Sequence, residues 1–154
     1  MKKNVIYIAL FAILSMNLGF VSCGIVEFET SKNGKLDGYW HLQTVDSLAN
    51  GNVSDVSKSR IFWSVQGDLL ETYSPDIVTA VQRCVFHFSH ENGMLKIIEP
   101  RVYDRAAGDP LIEDVGILTP FGINSLDESF KVEKLTKGKM TLTSGSLRLY
   151  FRKM

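Results

Sequence analysis

The sequence predicts an all-β protein, an eight-stranded antiparallel up-and-down barrel with one short helix in the connection 99–127. Two observations support this fold class. From residue 36 onward, short runs rich in Val, Ile, Phe, Tyr, Trp and Thr alternate with Gly, Asn, Asp and Ser, which is typical of closely spaced strands. The hairpin turns between these runs keep apolar side chains on one face. Eight such strands can close into a barrel that has no exposed edge.

The first 22 residues have the layout of a secretory signal peptide. Lys2 and Lys3 precede an apolar run, and small residues follow it, as in sequences that are cleaved after export. A membrane-spanning helix is the alternative, but it needs ~20 predominantly apolar residues. This run is shorter, and Ser15 and Asn17 interrupt it. We therefore expect residues 1–22 to be removed from the mature protein.

The stretch "FVSC", residues 20–23, resembles the lipobox of bacterial lipoproteins, in which a cysteine becomes the first mature residue and carries acyl groups. Ser22 fits the small residue before the cut, while Phe20 stands where Leu is usual, as in the looser lipoboxes of Bacteroidetes lipoproteins. The resemblance implies that Cys23 is the lipid attachment site and that the protein is held at a membrane of the cell envelope, the outer membrane. The alternative is a disulfide bond to Cys84, although Cys84 lies in a strand-like run where a buried thiol acts as a small hydrophobe.

The mature chain divides into a predicted tether, residues 23–37, and a predicted barrel domain, residues 38–154. Without residues 1–22 the chain has 15 basic and 17 acidic residues, a net charge of −2. Proteins that bind nucleic acid carry a clustered positive face, and the sequence shows no basic run of that kind. We therefore expect no nucleic-acid partner.

Turn chemistry predicts how several strands pair. The eight predicted strands span residues 38–47, 59–66, 68–74, 79–90, 94–98, 128–135, 139–143 and 146–152. A two-residue turn at Asn92-Gly93, a favoured hairpin connection, pairs Phe88 with Ile97 and His90 with Leu95. One face of this hairpin is then apolar and consists of Cys84, Phe86, Phe88, Leu95 and Ile97.

The last two hairpins are predicted by the same test of apolar faces. A two-residue turn at Ser144-Gly145 pairs Leu142 with Leu147. In the preceding hairpin, a two-residue turn would set Glu133 opposite Leu142, whereas a three-residue loop at 136–138 with a left-handed Gly138 sets Val132 there. The second register is the one we predict, because it keeps the charged side chain off the apolar face.

The connection 99–127 is too long for a hairpin loop. Asp109-Pro110 has the form of a helix N-cap followed by proline at the first helical position, so a short helix is predicted over residues 110–118. Long connections in compact domains often serve as lids or plugs.

The motif Gly38-Tyr39-Trp40 opens the first predicted strand and is similar to the start of the lipocalin fold. In lipocalins this Trp closes one end of the barrel, and an Arg near the last strand lies across it. The resemblance implies that Gly38 and Trp40, together with Arg148 or Arg152, form the barrel closure. Over residues 36–154 the chain looks like the small lipocalin-like lipoproteins of Bacteroidetes, which implies a barrel and an envelope location but no settled activity.

The predicted interior is crowded. With Trp40 pointing inward, strand alternation adds these residues to the interior: Leu42, Thr44, Ile61, Trp63, Val65, Phe130, Val132 and Phe151. An eight-stranded barrel is either filled by side chains or holds one small ligand. In the ligand hypothesis, Trp63, Phe86 and Phe88 bind a small apolar or amphipathic molecule under the long connection. In the alternative, the filled barrel meets a protein partner of an envelope assembly through its outer surface.

The polar residues do not form a recognisable reactive site. His87 and His90 stand three positions apart and therefore face opposite sides of a strand, so no metal site is expected. The carboxylates of the long connection fit a solvated loop with a capped helix. No nucleophile elbow, paired-histidine motif, phosphate-binding loop or dinucleotide fingerprint occurs in the chain. The sequence thus predicts neither an enzyme nor a cofactor.

Overall fold

The computed structural model describes residues 31–77 and 81–154. Nine antiparallel strands form one sheet whose first and last strands also pair with each other. The strands are β1 (Gly38–Ser47), β2 (Val53–Asp55), β3 (Phe62–Gln66), β4 (Leu69–Tyr73), β5 (Arg83–Glu91), β6 (Met94–Val102), β7 (Glu128–Leu135), β8 (Lys139–Thr143) and β9 (Leu147–Lys153). Three 3-10 helices occupy Gly34–Leu36, Val115–Ile117 and Thr119–Phe121.

The sheet closes into an eight-stranded up-and-down barrel, which confirms the predicted fold class. β9 pairs with one edge of β1. On the other edge, β3 pairs with residues 38–41 and the short strand β2 pairs with residues 44–46. β2 and β3 therefore share one position in the ring. β2 was not predicted, because its three residues are all exposed and lack an apolar pattern.

One end of the barrel is covered by the first 3-10 helix. Leu36 is fully buried, and its carbonyl accepts a hydrogen bond of 2.8 Å from Nε1 of Trp40. Asn33 donates to the carbonyl of Gly67 at 2.7 Å across the same end. Residues 31–37, assigned to the tether from sequence, thus belong to the compact unit that begins at Ser31. We call this the closed end; Cys23 and the rest of the tether lie outside the described residues.

Two of the predicted hairpin registers are confirmed and one is wrong. Phe88 pairs with Ile97, and His90 with Leu95, as the Asn92-Gly93 turn requires. Leu142, in contrast, lies opposite Leu149 and not Leu147. The turn is at Gly145-Ser146, because the amide of Ser144 donates to the carbonyl of Leu147 at 2.8 Å. The error is two residues in register, so the same face still points inward.

The pair Val132–Leu142 is also confirmed, but the connection that produces it differs from the predicted loop. Thr136 donates its amide to Lys139 across a two-residue turn, and Gly138 has no positive φ. A β-bulge between Val132 and Lys134 restores the pairing. An extra residue in one strand kinks it locally and re-aims its side chains.

A second bulge, at Gln43 in β1, corrects the predicted interior. Leu42 lies opposite Phe151, but Thr44 lies opposite Tyr150 and Val45 opposite Leu149. Val45 therefore packs against the core in place of Thr44.

The connection 99–127 contains the short helical segment predicted for it, but at a later position. Asp109 has φ +50°, and Leu111 forms an isolated antiparallel bridge with Arg101. The helical turns begin only at Val115, where the side chain of Asp114 accepts a hydrogen bond of 2.8 Å from the amide of Gly116. Pairing with the end of β6 outweighs the helix signal of Asp109-Pro110. Within residues 31–77 and 81–154, no helix has the length and apolar character needed to cross a membrane.

Candidate functional site

The barrel interior is centred on Trp63, which has no exposed surface. Its ring contacts Phe130 edge-on at a centroid distance of 5.7 Å and Phe151 at 5.1 Å. Edge-on and tilted aromatic pairs of this kind are favourable beyond their buried area. Trp63, Phe130 and Phe151, which we predicted to point inward, thus form a packed aromatic centre.

The long connection enters the barrel as a plug, which we define as residues 112–123. Its buried side chains are Ile112, Leu118, Phe121 and Ile123. The carbonyl of Phe121 accepts a hydrogen bond of 3.1 Å from Nε1 of Trp63. Gly122, with φ +82°, lies so close to Leu149 that a Cβ atom there would be 2.9 Å from its Cδ2. The plug backbone therefore lies inside the barrel, in contact with Trp63 and Leu149.

The predicted ligand-binding residues do not face open space in this conformation. A side chain that lines a cavity large enough for water retains accessible surface, yet Trp63 is 0 % and Phe86 is 1 % exposed. Phe88 is half-buried and packs against the same core. Displacing the four buried plug side chains would cost on the order of 6 to 12 kcal/mol, at roughly 1.5 to 3 kcal/mol each.

One polar group of the interior lacks a partner. Thr72 is fully buried on β4, and within the described residues its Oγ1 has no hydrogen-bond partner. It lies opposite Cys84 of β5, a free, buried thiol. Burial raises the pKa of Cys84 to about 11. The Cys84 thiol is therefore a packing group, and its interaction with the Thr72 hydroxyl partly opposes this rise in pKa.

At the closed end, the cation over Trp40 is Lys153. The two residues are a cross-strand pair, and Nζ of Lys153 lies 4.9 Å from the ring centroid of Trp40. The prediction of Arg152 in this role is wrong, because it precedes Lys153 by one position and faces outward. Arg148 is also outside and contacts Glu133 at 3.1 Å. Gly38 makes room for the lysine, since a Cβ atom there would meet the Lys153 Cε atom.

The outer face of the barrel carries a row of aromatic and cationic side chains, which we call the aromatic row: His41, Phe62, Tyr73, Arg83 and Tyr103. The first four are successive cross-strand neighbours on β1, β3, β4 and β5. The rings of His41 and Phe62 are 4.9 Å apart. The guanidinium of Arg83 lies 4.9 Å from the ring centroids of both Tyr73 and Tyr103. Arg83 thus joins the strands to the beginning of the long connection.

A cleft of about 250 Å³ adjoins the aromatic row. It is lined by Ser64, Gln66, Leu69, Glu71, Val85, Tyr103 and Arg105. Leu69 and Tyr103 are 37 % and 39 % exposed, so apolar and polar groups are both accessible there. Arg105 lies 5.1 Å from the ring centroid of Tyr103 and pairs with Asp109 at 2.7 Å.

The carboxylates of the long connection accept hydrogen bonds from its own backbone. Among residues 31–77 and 81–154, no three His, Cys, Asp or Glu side chains converge as metal ligands would. In the long connection, the carboxylate of Asp104 accepts from the amides of Ala106 and Ala107. Asp109 accepts from the amide of Asp104 at 2.9 Å. These carboxylates therefore hold the loop in shape.

Comparison with known proteins agrees with this architecture. The model of the lipocalin-like domain family matches residues 18–154. A lipocalin-like protein from Bacteroides uniformis, of known crystal structure, is 22 % identical with a TM-score of 0.60, over 79 % of this chain and 100 % of that one. An uncharacterized protein from Bacteroides eggerthii is 22 % identical with a TM-score of 0.58, over 77 % of this chain and 98 % of that one. No curated protein matches. The chain belongs to the lipocalin-like domain family and shares the fold of the two Bacteroides proteins.

Proposed function

We propose that this protein is a lipid-anchored envelope protein whose filled barrel acts as a rigid interaction module. The plug is the observation that carries this proposal. Its residues Phe121 and Gly122 fill the centre of the barrel, where they contact Trp63 and Leu149. A barrel with a filled interior offers its outer surface for function. The lipocalin-like fold is also compatible with ligand binding, and ligand binding is therefore the second candidate function.

The aromatic row is the part of that surface best suited to a protein partner. Tyr and Arg are enriched among residues that dominate protein–protein affinity, and here Arg83 lies between two tyrosine rings. Tyr39 extends the row, since its ring stacks on Phe62 at 4.8 Å. Apart from Tyr103, which follows β6, these side chains are held on paired strands, so little conformational freedom is lost when a partner binds.

The partner hypothesis is tested with two matched variants. Tyr103 and Met94 are 39 % and 41 % exposed, and only Tyr103 belongs to the aromatic row. We expect Tyr103→Ala to lower recovery of the cross-linked partner from detergent-solubilised membranes at least tenfold, as loss of a residue worth more than 1.4 kcal/mol would do. Met94→Ala should leave recovery unchanged. Equal recovery with both variants would count against the aromatic row as the interface.

The anchor rests on the lipobox-like sequence at Cys23 and on the basic and apolar segment before it. In cells fed a labelled fatty acid, we expect the label on the wild-type protein and none on Cys23→Ala, whose precursor should keep residues 1–22. Normal labelling of the Cys23→Ala variant would refute the anchor. The same cells provide the material for the cross-linking experiment, so anchor and partner are tested separately.

The second candidate function is binding of a small amphipathic ligand after the plug moves. The buried Oγ1 of Thr72 favours it, because its neighbour, the Cys84 thiol, is only a weak hydrogen-bonding group, and a ligand's polar group would satisfy the hydroxyl better. Trp63, Phe86 and Phe88 would then contact the ligand's apolar part. Native mass spectrometry of the protein purified from membranes should show a bound species that Phe121→Trp, which enlarges the plug, abolishes. An unliganded mass for both proteins would exclude this function.

A further inference from the structure

A second concave surface lies on the outside of the barrel, across β7, β8, β9 and β1. This basic groove has a volume of about 650 Å³. Its lining residues are Gln43, Glu133, Lys134, Lys139, Met140, Thr141, Tyr150, Phe151 and Arg152. The bulges at Gln43 and Glu133 stand on its two sides. These two bulges, which were not predicted from the sequence, therefore shape the groove.

The charge of the groove is positive. Lys139 and Arg152 are a cross-strand pair, and Lys134 lies beside them. Within the described part of the chain, none of these three forms an ion pair with a carboxylate. The one carboxylate of the groove, Glu133, is engaged by Arg148 at 3.1 Å. Three cations thus remain available to an anion.

Further cations surround the groove at the closed end. Lys153 donates from its amide to Gly138 and from Nζ to the carbonyl of Lys35 at 3.2 Å. The segments that meet there, 31–38, 66–69, 91–94, 131–140 and 151–154, contain eight basic and four acidic residues. The connection 99–127 at the opposite end contains six acidic and two basic residues. The closed end thus has an excess of basic residues, and the long connection an excess of acidic ones.

The length of the predicted tether limits how far this end could lie from a membrane. The described chain begins at Ser31, next to the closed end, where Ser31 donates to Asp37 at 2.9 Å. Eight residues, 23–30, separate Ser31 from the predicted lipid attachment site. Fully extended, they span at most about 29 Å. A lipid on Cys23 would keep the basic end within that distance of the headgroups.

We propose that the basic groove and its rim form a docking surface for the phosphate-bearing headgroups of anionic lipids. This inference rests on the proposed anchor for its biological setting, but the binding surface itself is independent of the acyl chain. A polybasic surface is a known complement to acyl chains, and beside an acylated Cys23 its effect would be to orient the barrel. Docking would orient the closed end toward the bilayer and leave the plug and the long connection facing away.

The test uses the non-acylated chain 24–154, which contains the whole closed barrel and its core. We expect it to sediment with vesicles that contain phosphatidylglycerol and not with vesicles of phosphatidylcholine alone. The double variant K139Q/R152Q should bind at least tenfold more weakly, because each basic residue near an anionic surface contributes to binding. A control variant with the same change in charge, K58Q/K96Q, should bind like the wild type, because both lysines are exposed and lie outside the groove. Circular dichroism verifies that both variants fold.

Each outcome decides the proposal. Equal binding to both kinds of vesicle, or equal weakening by both double variants, would overturn the groove as the docking surface. Binding of inorganic phosphate with no binding to vesicles would assign the groove to a free anion and also overturn lipid docking. If an acidic protein, added at the same concentration as the vesicles, displaced all of them from the chain, the groove would be a protein-binding site instead. Absence of the acyl label on Cys23 would refute the anchor alone, since vesicle binding is measured without it.

Discussion

At the scale of single residues, the position of a side chain on its strand decides its role more than its type does. A cation over Trp40 was expected to be an arginine, but alternation along β9 places Lys153 on that side and Arg152 on the other. Gly38 then accommodates the lysine stem. From the family resemblance, we could predict that a positively charged side chain lies over Trp40. Which residue carries that charge depends on the register of β9 against β1, and this register was not predictable from the sequence.

Cys84 gives a residue-scale prediction about pH. Burial raises the pKa of its thiol to about 11 from an ordinary value of 9. The unfolded chain therefore loses this proton at lower pH than the folded protein does. The stability associated with the neutral thiol is complete below pH 9 and is lost as the pH rises to about 11. The loss amounts to roughly 2 to 3 kcal/mol.

The measurement compares urea unfolding of the wild type and Cys84→Ala between pH 8 and about 11. Tyrosines and lysines titrate in both proteins, so the difference between the two pH profiles isolates the thiol. We expect the wild type to lose stability more steeply above pH 9. Parallel profiles would show that the thiol ionises equally easily in the folded and unfolded chains.

At the scale of structural elements, local pairing was predictable and long-range insertion was not. The Asn92-Gly93 hairpin has the predicted register, because its turn chemistry and its apolar face lie within a few residues of each other. The plug depends on contacts such as Trp63 with Phe121, which are 58 residues apart. The bulges at Gln43 and Glu133 contain no glycine, a residue that often signals a bulge in a sequence. Neither these bulges nor the basic groove that they border could therefore be predicted from the sequence.

The close contact of Gly122 with Leu149 yields a prediction for the plug. Gly122 and Gly108 have nearly the same φ, +82° and +79°, but a Cβ atom added at Gly122 would meet Leu149, whereas one added at Gly108 would have no neighbour within 4 Å. Alanine at either site is strained by the positive φ, at about 1 kcal/mol. At Gly122 the overpacking adds typically about 1 to 3 kcal/mol.

Urea unfolding of Gly122→Ala and Gly108→Ala measures the two costs. We expect the midpoint for Gly122→Ala to be clearly lower than that for Gly108→Ala, whose loss reports backbone strain alone. If both variants lose the same free energy of unfolding, the plug backbone does not lie against Leu149 in solution.

At the scale of the whole molecule, the plug and the barrel share one hydrophobic core. Whether they unfold together or separately therefore distinguishes the two candidate functions. Trp40 lies at the closed end and Trp63 contacts the plug, and both are fully buried. A rigid interaction module should lose its plug contacts and its strands in one cooperative step, as most single domains of this size do. A ligand-binding barrel needs a plug that opens before the strands separate.

Thermal unfolding of the Trp40→Phe variant follows Trp63 alone by fluorescence, while circular dichroism follows the strands. We expect the two transitions to coincide, because the four buried plug side chains contribute to the same hydrophobic cluster as the strand residues. Loss of the Trp40 hydrogen bond to Leu36 lowers both midpoints together, since an intramolecular hydrogen bond is worth about 1 kcal/mol. An increase in Trp63 solvent exposure at temperatures where the strand signal is unchanged would mean that the plug opens on its own. The barrel would then be a gated binding site, and the aromatic row would no longer be needed to explain its function.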